Sequence, residues 1–213
     1  MPGALQRANE LFPYVFHPIT VLALGIALLI HYEWREQSAA RAVLWRRLGA
    51  FLGAGVLALV PTVAYFLVGR SGLSTALGGS SWQLDEMVAS GVLIAAGTTW
   101  YVWRRYDWGE IIPDAMVTLA VVIAPYALLS PFWDISGHVL IALAPLLYLS
   151  LLDRRYVPLL AIPVLMVPNR VAVNAHTWAQ SIAGFVVAAV ITVGLYYLRA
   201  RSRADRSSGS TPS

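Results

Sequence analysis

Apolar runs of close to twenty residues recur along this chain, and they leave few folds open to it. The run 115–133 contains no charged residue at all, with Asp114 before it and Asp134 after it. A helix rises about 1.5 Å per residue, so a run of this length crosses the roughly 30 Å hydrocarbon layer of a membrane. Inside lipid the backbone must satisfy its own polar groups, which makes such runs helical. A soluble domain of 213 residues has no use for so many continuous apolar faces, and with 58% hydrophobic and 12% charged residues the chain belongs with integral membrane proteins. The expected fold is therefore all-α, a polytopic transmembrane helix bundle of about seven spans.

The spans are expected at about Tyr14–Tyr32, Leu48–Val68, Met87–Trp103, Ala115–Trp133, from about His138 to Asp153, Tyr156–Pro168 and Trp178–Leu198. The sixth is short and carries Pro158, Pro163 and Pro168, so it reads as tilted or partly re-entrant. Residues 1–13 lack a basic start leading directly into an apolar core, so no cleaved signal peptide is expected. The Gly- and Ser-rich stretch Gly69–Gln83 reads as a flexible loop. Residues 1–198 form one membrane domain without internal repeats, and 199–213 read as a disordered basic tail.

Orientation follows from the arginines. With seven spans, twelve of the fifteen fall on one side, and only Arg7, Arg70 and Arg170 on the other. If the fourth run did not cross, the split would be eight against seven. The positive-inside rule favours the lopsided arrangement, which puts the amino terminus outside and the carboxyl terminus in the cytoplasm of a cell-membrane protein. The eight tryptophans fall at or near expected span ends, where an apolar ring with one N–H is at home. The net charge of +4 is thus a topology signal, and no nucleic-acid partner is expected.

Composition also removes chemistries. There is no cysteine, which excludes disulfides, thiol catalysis and zinc–thiolate sites. There is no lysine either, which excludes Schiff-base chemistry, including a retinal-type photoreceptor.

The polar residues that remain cluster at the expected outer ends of spans: Ser136-Gly137-His138 before the fifth, and Arg170 and His176 between the sixth and seventh. Here the chain resembles the type 2 phosphatidic acid phosphatases (PAP2), which share a superfamily with vanadium haloperoxidases. That family's second block reads P-S-G-H and its third S-R-x5-H-x3-D. This chain has Ile135-Ser136-Gly137-His138 and Asn169-Arg170-x5-His176-x3-Gln180. The resemblance implies a membrane lipid-phosphate phosphatase working at the outer face on a lipid phosphate or diphosphate, without metal or other cofactor. His176 would be the nucleophile that becomes phosphohistidine, and His138 the acid for the leaving alcohol. Ser136, Gly137 and Arg170 would hold the phosphate. Independently of the family, a small Ser-Gly pair at a helix start suits an anion, because the amides can approach it and the helix dipole favours it.

Two departures bear on activity. Gln180 stands where the family has the Asp that orients the nucleophile, and its carbonyl, one helical turn away, is the expected acceptor for His176 Nδ1–H. A neutral partner stabilises a developing imidazolium less than a carboxylate does, which implies slow or altered turnover. The family's first block, K-x6-R-P, has only a spacing echo in Arg105-x6-Ile112-Pro113, which the seven-span topology puts on the wrong side of the membrane. Arg7 and Arg70 are the outer arginines left to stand in for its cations.

Other classes fit some of the same residues. His17, Asp85, Glu86, Asp134, His138 and His176 also lie at outer span ends and could bind zinc in a heptahelical membrane hydrolase, although none shows His-x3-His spacing. A non-catalytic lipid-phosphate-binding protein keeps the site without the turnover. A transporter is disfavoured, because polar residues are nearly absent from span centres.

Overall fold

The computed structural model describes residues 4–68, 82–129 and 132–208, and among them every regular element is a helix. In chain order these are α1 (Ala4–Val15), α2 (Pro18–Glu36), α3 (Arg41–Ala58), α4 (Val60–Val68), α5 (Trp82–Tyr106), α6 (Ile111–Leu129), α7 (Gly137–Leu152), a 3-10 segment (Arg154–Leu160), α8 (Ala161–Ala172) and α9 (Trp178–Ser208). The expected loop at Gly69–Gln83 lies largely outside the described residues, and α5 begins at Trp82, earlier than expected.

Among the described residues, three stretches are long and apolar enough to cross a membrane by length and composition, Arg41–Leu67, Ile111–Leu129 and Trp178–Ser202, and α7 is apolar but shorter. The chain is a helical membrane protein. Its second expected span is α3 and α4 with a break at Leu59, two residues before Pro61, whose ring and missing N–H interrupt the ladder. The sixth expected span is the 3-10 segment followed by the twelve-residue α8, as its prolines lead one to expect. Two boundaries differ from the sequence reading. The first expected span divides at Phe16-His17, because Pro18 starts a new helix at its first turn. The last does not stop at Leu198: α9 continues to Ser208, where a disordered tail was expected to begin at 199. Arg199 is held there by an ion pair to Asp114 of α6, so the helix has a reason to carry on past the apolar run.

α7 is the central element. It packs against α2, α6, α8 and α9, and twelve of its sixteen residues are buried. A helix enclosed on all sides has no polar face, which explains its charge-free sequence. Around it lie Ile26, Leu29 and Ile30 of α2, Met116, Leu119 and Ile123 of α6, and Ala188 of α9.

The two ends of the bundle differ chemically. At one, Glu33 of α2, only 1% exposed, accepts from Trp103 Nε1 (2.8 Å) and from the main-chain N–H of Ile111 (2.7 Å). Arg47 beside it donates to Gln37 Oε1 and to the Trp108 carbonyl, both at 2.6 Å. This knot ties α2, α3, α5 and α6 together. It also corrects the reading of Trp103 as an interfacial anchor, since that ring is fully buried in protein and spends its N–H on Glu33. Arg105 and Pro113 belong to this end. The other end carries His17, Asp134, His138, Arg170 and His176, and α2 alone, nineteen residues from Pro18 to Glu36, spans roughly 28 Å between them. The Arg105 spacing echo is therefore not part of that group.

Candidate functional site

The third sequence block is built from a helix stop and a helix start. α8 ends in a Schellman motif: Ala175 N–H donates to the Arg170 carbonyl (3.0 Å) and Asn174 N–H to that of Val171 (3.0 Å), with Asn174 in the left-handed region at φ 56°. Asn tolerates that conformation better than most residues. His176 N–H also donates to the Arg170 carbonyl, at 3.3 Å, so Arg170 and His176 are tied through one turn. Thr177 then caps α9. Its N–H donates to Gln180 Oε1 (2.8 Å) while Gln180 N–H donates to Thr177 Oγ1 (3.3 Å), a reciprocal capping box.

That box corrects the expected role of Gln180. Its side-chain carbonyl accepts from both the Thr177 amide and the Thr177 hydroxyl (3.1 Å), and so serves the helix start. His176 instead turns Nδ1 toward Asp134, with Oδ2 at 3.5 Å. This is a charge contact longer than a made hydrogen bond.

The second block docks directly onto the third. Ser136 N–H donates to the main-chain carbonyl of Gln180 at 3.1 Å. Gly184, one turn further on, lies so close that a Cβ there would sit 2.6 Å from the Ser136 carbonyl oxygen. Gly137 is also closely packed, since a Cβ would fall 2.7 Å from the end of the Tyr126 ring, a side chain and not backbone. The Ser-Gly pair thus has a packing reason as well as any binding role. Ser136 occupies the N-cap of α7 but makes no side-chain cap.

Arg170 sits near enough to His17, His138 and His176 to act on each electrostatically, and His138 also feels both other histidines. The rings of His17 and His138 meet edge to face, centroids 6.3 Å apart. Burial, followed by the Arg170 charge, lowers the pKa of His17 below the usual histidine value. Burial also lowers that of His176, against the opposing pull of Asp134. Three donors in this group, Ser136 Oγ, Arg170 Nε and His176 Nδ1, are buried without a hydrogen-bond partner. Buried polar groups are nearly always satisfied, and since His176 Nδ1 faces Asp134, Ser136 Oγ and Arg170 Nε are the two left open to a polar partner here.

The structure thus brings together His138, Arg170 and His176, seats Ser136 and Gly137 at the start of the same helix, and gives Gln180 to the cap. It adds His17 and Asp134, which the sequence reading used only as candidate zinc ligands. Asp134 had a signal, a carboxylate immediately before the second block; His17 had only its place just before a helix-starting proline. Among the described residues no three His, Asp or Glu side chains form a group able to hold a metal ion. Asp85 lies outside the described side chains, and Arg70 outside the described residues.

Residues 114–204 match the family model described as the PAP2 superfamily, which makes this part of the chain PAP2-like. The matched region runs from the first turn of α6 into α9 and includes both blocks, and it starts after the Arg105–Pro113 echo. It supports a phosphatase-type function, and the family acts generally on phosphorylated lipids. No curated protein and no solved structure matches the chain.

Proposed function

We propose that the chain is a membrane lipid-phosphate phosphatase working through a phosphohistidine at His176. The observation that carries this reading is the pair of unsatisfied buried donors, Ser136 Oγ and Arg170 Nε, in a PAP2-like segment that also carries His138 and His176. A phosphate monoester bound there takes hydrogen bonds from Ser136, from Arg170 and from the first amides of α7, which have no acceptor within the helix.

His176 Nε2 attacks phosphorus and the bond to the ester oxygen breaks, while His138 gives its proton to the departing alkoxide. A water then attacks the phosphohistidine, His138 takes the water's proton, and the P–N bond breaks to release inorganic phosphate and free His176. Bound phosphate brings negative charge to His138 and favours the proton needed for the first step. Arg170 stabilises charge on the equatorial oxygens of the transition state. His17, edge to face with His138, adds a further imidazole beside the site. With seven spans, the twelve-to-three arginine split favours an outward-facing site at this end of the bundle.

The test is phosphate release from a long-chain lipid phosphate in detergent micelles by the purified full-length protein. Release that His138→Ala and His176→Ala each reduce at least about 100-fold supports the reading, as the loss of a general acid or nucleophile should. Release unaffected by both substitutions sinks it.

A further inference from the structure

The carboxylate that faces His176 comes from a place the third block does not contain. We propose that Asp134 is the positioning residue for His176, holding Nδ1–H so that Nε2 faces phosphorus, in place of the Asp that this chain lacks at 180. This rests on the phosphatase reading above and names the residue on which its nucleophile depends.

Three observations lead there. First, His176 Nδ1 and Asp134 Oδ2 are 3.5 Å apart, and the Nδ1 atom is buried without any other partner. Second, Gln180 is committed elsewhere, its carbonyl taking both donors of Thr177. Third, Asp134 stands on a fixed piece of backbone. Ile135 N–H donates to the Trp133 carbonyl at 2.9 Å, the Ile135 side chain is fully buried, and Ser136 N–H is bonded to Gln180. The carboxylate is therefore anchored by the same contact that joins the second block to α9.

The burial of the pair suits the role. The His176 side chain is 9% exposed and that of Asp134 41%, so the carboxylate reaches a buried ring while keeping its own hydration. That avoids most of the desolvation penalty of a fully buried pair. Among the described residues, the charged and titratable groups facing His176 are Asp134 from the turn before α7, Arg170 from α8 and His138 from α7, with His17 beside His138. Only Asp134 among them is anionic, so it alone stabilises the positive ring that forms as the P–N bond is made. The 3.5 Å separation shortens when phosphate draws the ring into line, as catalytic contacts commonly do on binding.

The test reads His176 directly and does not depend on turnover. The full-length protein in micelles, with 15N-labelled imidazoles, has four histidines to assign, His17, His31, His138 and His176. Asp134→Asn is expected to weaken proton binding at His176 about tenfold and leave His31 unchanged. In the phosphatase assay it should lower kcat about 100-fold with KM within about threefold, the signature of an interaction made in the transition state. Gln180→Asp added to Asp134→Asn should recover much of that loss by restoring a carboxylate from the helix side. Asp134→Glu, which keeps the charge, should keep the wild-type titration and also serves if the Asn variant does not fold. A His176 titration unmoved by Asp134→Asn, or an Asp134→Glu protein titrating like the Asn variant, overturns the proposal. If the titration moves as expected while the wild type releases no phosphate, the pairing stands and the phosphatase reading falls.

Discussion

The main-chain N–H of Ser136 donates to the main-chain carbonyl of Gln180 at 3.1 Å, so the two sequence blocks of this chain are bonded to one another through backbone alone. Gly184 makes the approach possible, and Gly184→Ala separates two opposing effects. In an exposed helix alanine stabilises relative to glycine by about 1 kcal/mol. Here its Cβ would lie 2.6 Å from the Ser136 carbonyl oxygen, and backbone cannot swing aside as a flexible side chain can. Overpacking of this kind costs about 1–3 kcal/mol. We expect a lower Tm and lower phosphatase activity together; a raised Tm would show that the contact is loose.

The capping box predicts where Gln180 acts. Thr177→Ala should cost about 1 kcal/mol of stability, and Gln180→Ala a similar amount, with the double variant costing less than their sum because they share one motif. Thermal unfolding in micelles measures this. Gln180→Asp in the otherwise unchanged protein should leave kcat within about threefold, because Asp134 already faces His176.

Acid should weaken both activity and stability. The pKa values of His17 and His176 lie below the unfolded value of about 6.5, so the unfolded chain binds more protons in the window below it. The stability contributed by keeping these rings neutral is complete above that value and is lost as pH falls through the lowered pKa. Tm should fall as pH drops below about 6.5, and less steeply in His17→Ala. The acid limb of kcat/KM should likewise lie below 6.5, because the nucleophile must be neutral. A Tm that rises on acidification would contradict the direction of these two shifts.

Arg170 is argued to hold charge that develops in the transition state. Arg170→Ala should lower kcat about 100- to 1000-fold, the usual effect of removing such a donor. Arg170→Lys should recover little, because a point charge does not reproduce the planar fork. Vanadate, which mimics the trigonal-bipyramidal phosphorus, should inhibit the wild type more strongly than Arg170→Lys. Phosphate release should survive EDTA; its loss on chelation and recovery with zinc would favour the metal-site alternative.

Much of this was legible in the sequence, for reasons that differ from residue to residue. Apolar run length exposed the helices because lipid leaves the backbone no other solution, and the central place of α7 is the enclosed form of the same signal. The spacing Arg170-x5-His176 was legible because it is the length of a Schellman turn plus one residue, a local geometry. The partners of those residues were not. Gln180 reads as an orienter by position in the block, yet Thr177 three residues earlier is an equally local claimant, and the helix end took it. His17 reaches the site through packing between elements far apart in the chain, and Asp134, though it directly precedes the second block, meets His176 only through the docking of that block on α9. Trp103 read as an interfacial anchor because its buried acceptor, Glu33, is seventy residues away.

The most direct measurement asks whether phosphorus becomes bound to His176. Purified full-length protein is mixed with a 32P-labelled lipid phosphate, quenched within the first turnover in alkali, digested and mapped. The account predicts an acid-labile, base-stable phosphoryl group on the peptide containing His176. It should be absent in His176→Ala and reduced in Asp134→Asn, which slows its formation. Phosphate release at the wild-type rate with no label on His176, or label that persists when His176 is replaced, would contradict it.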